Sequence, residues 1–161
     1  MEITMLKEED ILPCLNIYNY YIKNTCFTLE EEVLDYLSFK NRCLKIKEKY
    51  PYIVIKENNK VLGYAYLNTF NERSAYRYTA DLSIYIDKEH LHEHLGNLLL
   101  SSIEKFAKEY NITTLISIVT SENTNSSNFH LKNGFILEGT LHNVAKKFNK
   151  ELSISYYRKP L

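Results

Sequence analysis

Between residues 90 and 94 the chain reads His90-Leu91-His92-Glu93-His94, three imidazoles and a carboxylate within five positions. Transition metals favour such donors. An extended or turning loop rarely converges alternate residues on one ion, however, and no H-E-x-x-H spacing accompanies them. The reading is therefore a solvated polar loop with no metal. The same stretch lies where a strand ending near Ile86 hands over to a helix around Leu98, through a turn containing Gly96. A helix that starts this way presents unbonded backbone N–H groups and the positive end of its dipole, which suits a phosphate.

The elements that must position this junction follow from periodicity. Glu2 to Leu6 reads as a strand, and the acids Glu8-Glu9-Asp10 open a helix carrying Ile11, Leu15, Tyr18 and Ile22 at helical spacing to about Lys23. A second helix is expected from about Glu30 to Pro51, with Val33, Leu34, Leu37 and Leu44 as its apolar positions. Tyr52 to Lys56 and Val61 to Phe70 form a hairpin about Asn58-Asn59. Arg77 to Asp87 alternates, with Leu82, Ile84 and Ile86 on one face and Asp81, Ser83 and Tyr85 on the other. Leu95 to Asn111 is the strongest helical pattern, Thr114 to Val119 a strand, and Asn123 to Asn133 a short helix closed by Gly134. Phe135 to Asn143 and Leu152 to Arg158 finish as strands. The order β-α-α-β-β-β-α-β-α-β-β predicts one α+β domain over residues 1–161, a mostly antiparallel mixed sheet with one central β-α-β unit.

Composition agrees with a single compact domain: 161 residues, 45% apolar and 25% charged. Twenty basic and twenty acidic side chains cancel, so no global charge favours nucleic acid or an anionic membrane. No run approaches the roughly 20 apolar residues of a membrane span. Met1 to Asp10 is too charged for a signal peptide, and Cys14, Cys26 and Cys43 suggest neither a disulfide framework nor a zinc site. The expected compartment is the cytoplasm. Fourteen tyrosines without a tryptophan fit either core packing or a pocket lined with hydroxyls.

Several segments together resemble one family. They are Ile17-Tyr18-Asn19, Asn24-Thr25, Gly63-Tyr64-Ala65-Tyr66, the run from Arg73 to Asp87, Asn123-Thr124-Asn125-Ser126, His130, Gly134-Phe135, Gly139-Thr140-Leu141 and Lys147-Phe148. In this order they resemble the GNAT acyltransferase superfamily, and within it the phosphinothricin N-acetyltransferase-like branch. That resemblance implies acetyl transfer from acetyl-CoA to the primary amine of a small amino acid or analogue by direct attack, in a homodimer. It implies that Asp81, where the branch usually has Glu, is the general base, and that the strand residues Ser83, Ile84, Tyr85 and Ile86 lie along the cofactor, with backbone N–H groups holding the oxyanion. A water relay suits Asp81, which is one methylene shorter. Asn123 and Ser126 fall on the cofactor side. His130 falls where a Tyr or His near the cofactor sulfur protonates the thiolate, although a buried structural histidine is the alternative. Arg73, Tyr76 and Arg77 match the acceptor-facing segment, where arginine forks suit an acidic amino-acid analogue.

The resemblance breaks at the diphosphate loop. The family pattern Arg/Gln-x-x-Gly-x-Gly/Ala falls on Leu91, His92, Glu93, His94, Leu95 and Gly96, and only Gly96 matches. Leu91 replaces the basic or amide residue, His94 puts a Cβ where the backbone should approach the diphosphate, and Glu93 adds a negative charge. These departures predict a weakened cradle. The competing reading is a GNAT-fold binding module that holds a small ligand with impaired CoA binding.

Overall fold

The computed structural model describes residues Met1–Leu161. Its elements are β1 (Glu2–Met5), α1 (Glu8–Asn24), α2 (Tyr36–Lys47), β2 (Tyr52–Glu57), β3 (Lys60–Thr69), β4 (Thr79–Ile86), α3 (Leu95–Glu109), β5 (Thr114–Thr120), α4 (Thr124–Lys132), β6 (Ile136–Lys147) and β7 (Lys150–Pro160). They build one seven-stranded sheet in the order β1-β2-β3-β4-β5-β7-β6. Every neighbouring pair is antiparallel except β4 with β5.

Both faces of the central strands are covered, which is why β2 and β3 read as nearly unbroken apolar runs. One core lies under α3, where Ile53, Ile55, Leu67 and Leu82 meet Leu99 and Ile103. The other lies under α1 and α2, where Val54, Tyr52 and Tyr64 meet Ile11, Ile22 and Phe39. The tyrosines mostly pack: Tyr52, Tyr64, Tyr66, Tyr85 and Tyr18 form a chain of ring contacts 4.8–5.8 Å apart. At Asn58-Asn59 both residues are left-handed (φ 49° and 64°), the turn that matches strand twist. Gly63 is required by close approach, because a Cβ there would meet Tyr85 O at 2.8 Å.

Two expectations need correction. The second helix starts at Tyr36, not Glu30, and buries Phe39, Cys43 and Ile46; Val33, Leu37 and Leu44 are exposed. Asp35 caps it by accepting the Ser38 N–H at 2.9 Å, while the Asn19 side chain bonds both backbone groups of Leu34 and holds that segment out of a helix. At the C-terminal end, the segment from Phe135 to Arg158 is one long hairpin rather than two separated strands. Phe148 and Asn149 (φ 52° and 59°) make its turn, and register shifts after Leu137 and Leu141 break the alternation that would have revealed it.

Candidate active site

Parallel pairing of β4 with β5 covers three registers only, Thr79 with Thr114, Ala80 with Leu115 and Asp81 with Ile116. Beyond Asp81 the strands part. The opening is a cleft of about 750 Å³ bounded by Leu82–Ile86, by Ser117–Val119, by the start of α3 and by α4. Strand alternation sets which backbone groups face it. Asp87 N–H donates to Leu62 O at 2.8 Å, so the odd-numbered residues of β4 bond β3, and Ile84 and Ile86 aim their N–H groups at the opening. Tyr21 closes the far end by donating its hydroxyl to Ile86 O at 2.6 Å.

At the mouth, the loop into α3 presents unbonded backbone N–H groups. The backbone N–H groups of Leu91, His92, Glu93, His94, Leu95 and Gly96 donate to no protein acceptor. His92 and His94 are left-handed (φ 69° and 59°), so the chain holds a glycine-type conformation at His94, where the family has glycine, despite its side chain. Glu93 is turned away. Its carboxylate lies 3.3 Å from His90 Nδ1, and His90 Nε2 lies 3.3 Å from the Lys60 ammonium, a chain in which Lys60 donates to His90 and His90 to Glu93. Glu93 is thus engaged with His90 and is not among the residues that line the cleft. Gly96 has a further reason to lack a side chain: a Cβ there would press to 3.2 Å of the Phe129 ring, where α3 packs on α4. No three His, Cys, Asp or Glu side chains converge as a metal cluster.

Most of the residues singled out from the sequence meet here. Ser83, Ile84, Tyr85, Ile86, Leu91, His92, His94, Leu95, Gly96, Asn123, Ser126 and His130 all line the cleft. Asn123 caps α4 by accepting the Ser126 N–H at 3.1 Å. His130 is buried between Phe129, Phe135 and Tyr157. Its Nδ1 lies 2.7 Å from Ser126 O, a pure acceptor, so Nδ1 carries the proton; burial holds the imidazole pKa below its usual value, against the pull of that bond.

Asp81 lies at the point where the strands separate, outside the cleft lining. Its Oδ1 is buried without a hydrogen-bond partner, and burial alone pushes its pKa up to about 6. A carboxylate in this state is poised to accept a proton near neutrality. Arg73, Tyr76 and Arg77 are exposed on the loop before β4 and do not reach the cleft. Arg77 folds back on its own loop, donating to Ser74 O at 3.0 Å and Tyr78 Oη at 2.9 Å and covering the Tyr78 ring at 4.3 Å. Sequence reasoning missed Tyr21, Phe129 and Ser117. Ser117, a hydroxyl buried without a partner in the cleft wall, had a signal: a serine inside the otherwise apolar run Leu115-Ile116-Ser117-Ile118-Val119.

Comparison with known proteins places this geometry. The acetyltransferase (GNAT) domain profile matches residues 3–153. A phosphinothricin N-acetyltransferase of Alcaligenes faecalis is 29% identical over 161 residues, covering 99% of this chain and 82% of its own. An L-methionine sulfoximine/L-methionine sulfone acetyltransferase of Salmonella typhimurium is 26% identical, covering 97% and 92%. The crystal structure of a phosphinothricin acetyltransferase from Sinorhizobium meliloti in complex with acetyl-CoA superposes with a TM-score of 0.95 at 26% identity, covering 99% of this chain and 88% of that one. With the profile spanning nearly the whole chain and the parted central strands in place, this chain belongs to the GNAT acetyltransferase family.

Proposed function

We propose that this protein moves an acetyl group from acetyl-CoA to the primary amine of a small amino acid or analogue, of the phosphinothricin or methionine sulfone/sulfoximine type. The observation that carries this reading is the cleft between β4 and β5, with backbone N–H groups free of protein acceptors at its mouth and, just outside its lining where the strands begin to part, a carboxyl oxygen of Asp81 buried without a partner. Acetyl-CoA enters with its diphosphate on the N–H groups of Leu91–Gly96, and its thioester lies along Ser83–Ile86. An amino-acid amine is an ammonium in neutral water and must lose a proton before attack. Asp81, largely ionised above its pKa of about 6, takes that proton directly or through one water. The free amine then forms the C–N bond, and the resulting oxyanion accepts from a strand N–H, for which Ile84 and Ile86 are the available donors. Collapse breaks the C–S bond; the attacking nitrogen sheds its second proton to solvent to become the neutral amide, the departing thiolate of CoA takes a proton from solvent, and Asp81 gives up its proton to solvent to reset the site. His130 keeps α4 in place, and Arg73, Tyr76 and Arg77 form the outer rim through which the acceptor arrives.

The protein acts as a cytoplasmic homodimer without nucleic-acid or membrane partners. Net charge is zero, no helix is long and apolar enough to cross a membrane, and the edge strand β6 exposes Ile136, Leu137, Leu141 and Val144 for a second copy to cover. Calorimetric titration with acetyl-CoA, followed by thiol-release assays with phosphinothricin, methionine sulfone and spermidine, tests the reading. Micromolar binding and release stimulated by the two amino-acid analogues are expected. Absence of acetyl-CoA binding by the folded protein would replace it with the binding-module reading, and equal rates with spermidine would remove the acceptor class.

A further inference from the structure

Asp81 does not stand alone on its face of the sheet. It is in register with Ile116 on β5, Ile116 with Arg158 on β7, and Arg158 with Ile136 on β6. In-register neighbours direct their side chains to the same face, so the Asp81 carboxyl and the Arg158 guanidinium rise from one side of the sheet, two strands apart. Their Cα atoms are therefore separated by about 10 Å, two strand spacings. No salt bridge joins them: the partner of Arg158 is Glu138, which accepts from Nε at 2.7 Å. That bond fixes the inner edge of the guanidinium and leaves the Nη1 and Nη2 fork with no protein acceptor, on a side chain 38% exposed. A pinned guanidinium with an open fork is the geometry that grips a carboxylate, phosphinate or sulfone end-on.

We propose that Arg158 reads the distal polar group of the acceptor amino acid, two carbons or more beyond the amine-bearing carbon, while its amine is presented to Asp81. This rests on the acetyltransferase reading and deepens it. A Cα separation of about 10 Å is longer than the distance from an amine to its own α-carboxylate, and it leaves room for a group placed at the γ position. The fork therefore selects amino acids with a γ-placed phosphinate, sulfone, sulfoximine or carboxylate. Glu138 sets a limit on this selection, since its charge beside the fork disfavours a dianionic group such as a phosphonate. Ile116 and Ile136, on either side of Arg158 in the register, contribute no competing charge.

The test compares phosphinothricin with norvaline, which shares its α-amino acid end but has no γ-acid. Wild type is expected to favour phosphinothricin in kcat/KM. In Arg158→Gln that preference falls about tenfold to hundredfold through KM, with norvaline kinetics and acetyl-CoA affinity unchanged; Arg158→Lys, which keeps the charge but loses the fork, falls between. The norvaline rate within each variant serves as its folding control. An unchanged preference in Arg158→Gln overturns the proposal, as does a wild type that binds acetyl-CoA yet does not distinguish the two acceptors. Failure of wild type to bind acetyl-CoA in calorimetry is the separate result that removes the acetyltransferase reading beneath it.

Discussion

Replacing Asp81 by Asn should make the protein more stable and nearly inactive, and the two effects have one origin. Burial raises the folded-state pKa from 3.8 to about 6. Below pH 4 both folded and unfolded chains carry the proton, so the group contributes no penalty. Between about pH 4 and pH 6 only the folded chain holds it, and stability falls as pH rises; above that range the full cost of a buried charge is present. Two pKa units at 1.36 kcal/mol each set a ceiling of about 3 kcal/mol. Because Asp81 keeps some solvent contact, about 1–2 kcal/mol is the expected part of that ceiling. For a domain of this size 1 kcal/mol moves Tm by about 2–4 °C. Asp81→Asn should therefore melt several degrees above wild type at pH 8 and at the same temperature near pH 4. Its kcat/KM should drop by about 10²-fold or more, and the wild-type profile should climb through pH 6. Melting curves at the two pH values and a pH–rate series read both quantities. A Tm difference that is the same at pH 4 and pH 8, or wild-type turnover in the variant, would refute the reasoning.

Other outcomes follow from the same geometry. His94→Gly, at φ 59°, relieves a left-handed side chain worth about 1–2 kcal/mol and returns about 0.5–1 kcal/mol of chain entropy, so melting should be unchanged or higher, the reverse of an ordinary glycine in a helix start. Combined with Leu91→Arg it should tighten acetyl-CoA about tenfold to hundredfold by calorimetry, since the cradle gains a charge-assisted contact. His130→Gln should lower thermal stability by about 1–3 kcal/mol through lost packing and the Ser126 bond, yet keep kcat and the rise of the pH–rate profile through pH 6 that Asp81 sets; a large fall in kcat in the folded variant would return the acid role to His130. Gly63→Ala, forced to 2.8 Å of Tyr85 O, should destabilise by about 1–3 kcal/mol and weaken acetyl-CoA binding by displacing β4, as read by melting and titration.

Much of the architecture is local in origin and was therefore legible in the chain. Alternation along Arg77–Asp87, helical spacing along Leu95–Phe106 and the Asn58-Asn59 turn each express a backbone geometry repeating over a few residues. The element order emerged complete. It failed where a local signal was overridden from a distance. Val33 and Leu34 extend a helical pattern backward from Leu37, but Asn19, fifteen residues away from Leu34, takes the backbone bonds of that residue. Two register shifts in the last hairpin hid the continuity of β6 with β7 in the same way.

The site divides along the same line. Residue types and their order determined which side chains were available for chemistry: Asp81 on the central strand, Ser83–Ile86 beyond it, Asn123 and Ser126 at the start of α4, and the altered loop Leu91–Gly96. Only the tertiary structure decided what those side chains can do. That β4 and β5 separate after Asp81 is a relation between two strands joined through α3, which no segment encodes alone. That Asp81 loses water, that Glu93 turns to His90, that Arg77 folds onto Tyr78 and that Arg158 shares a face with Asp81 are relations between segments remote in sequence or set by packing. The altered loop shows the same division: its side chains were legible in the chain, but only the fold decided that the N–H groups of Leu91–Gly96 meet no protein acceptor and that His92 and His94 are left-handed, because backbone direction is set by the packing of α3.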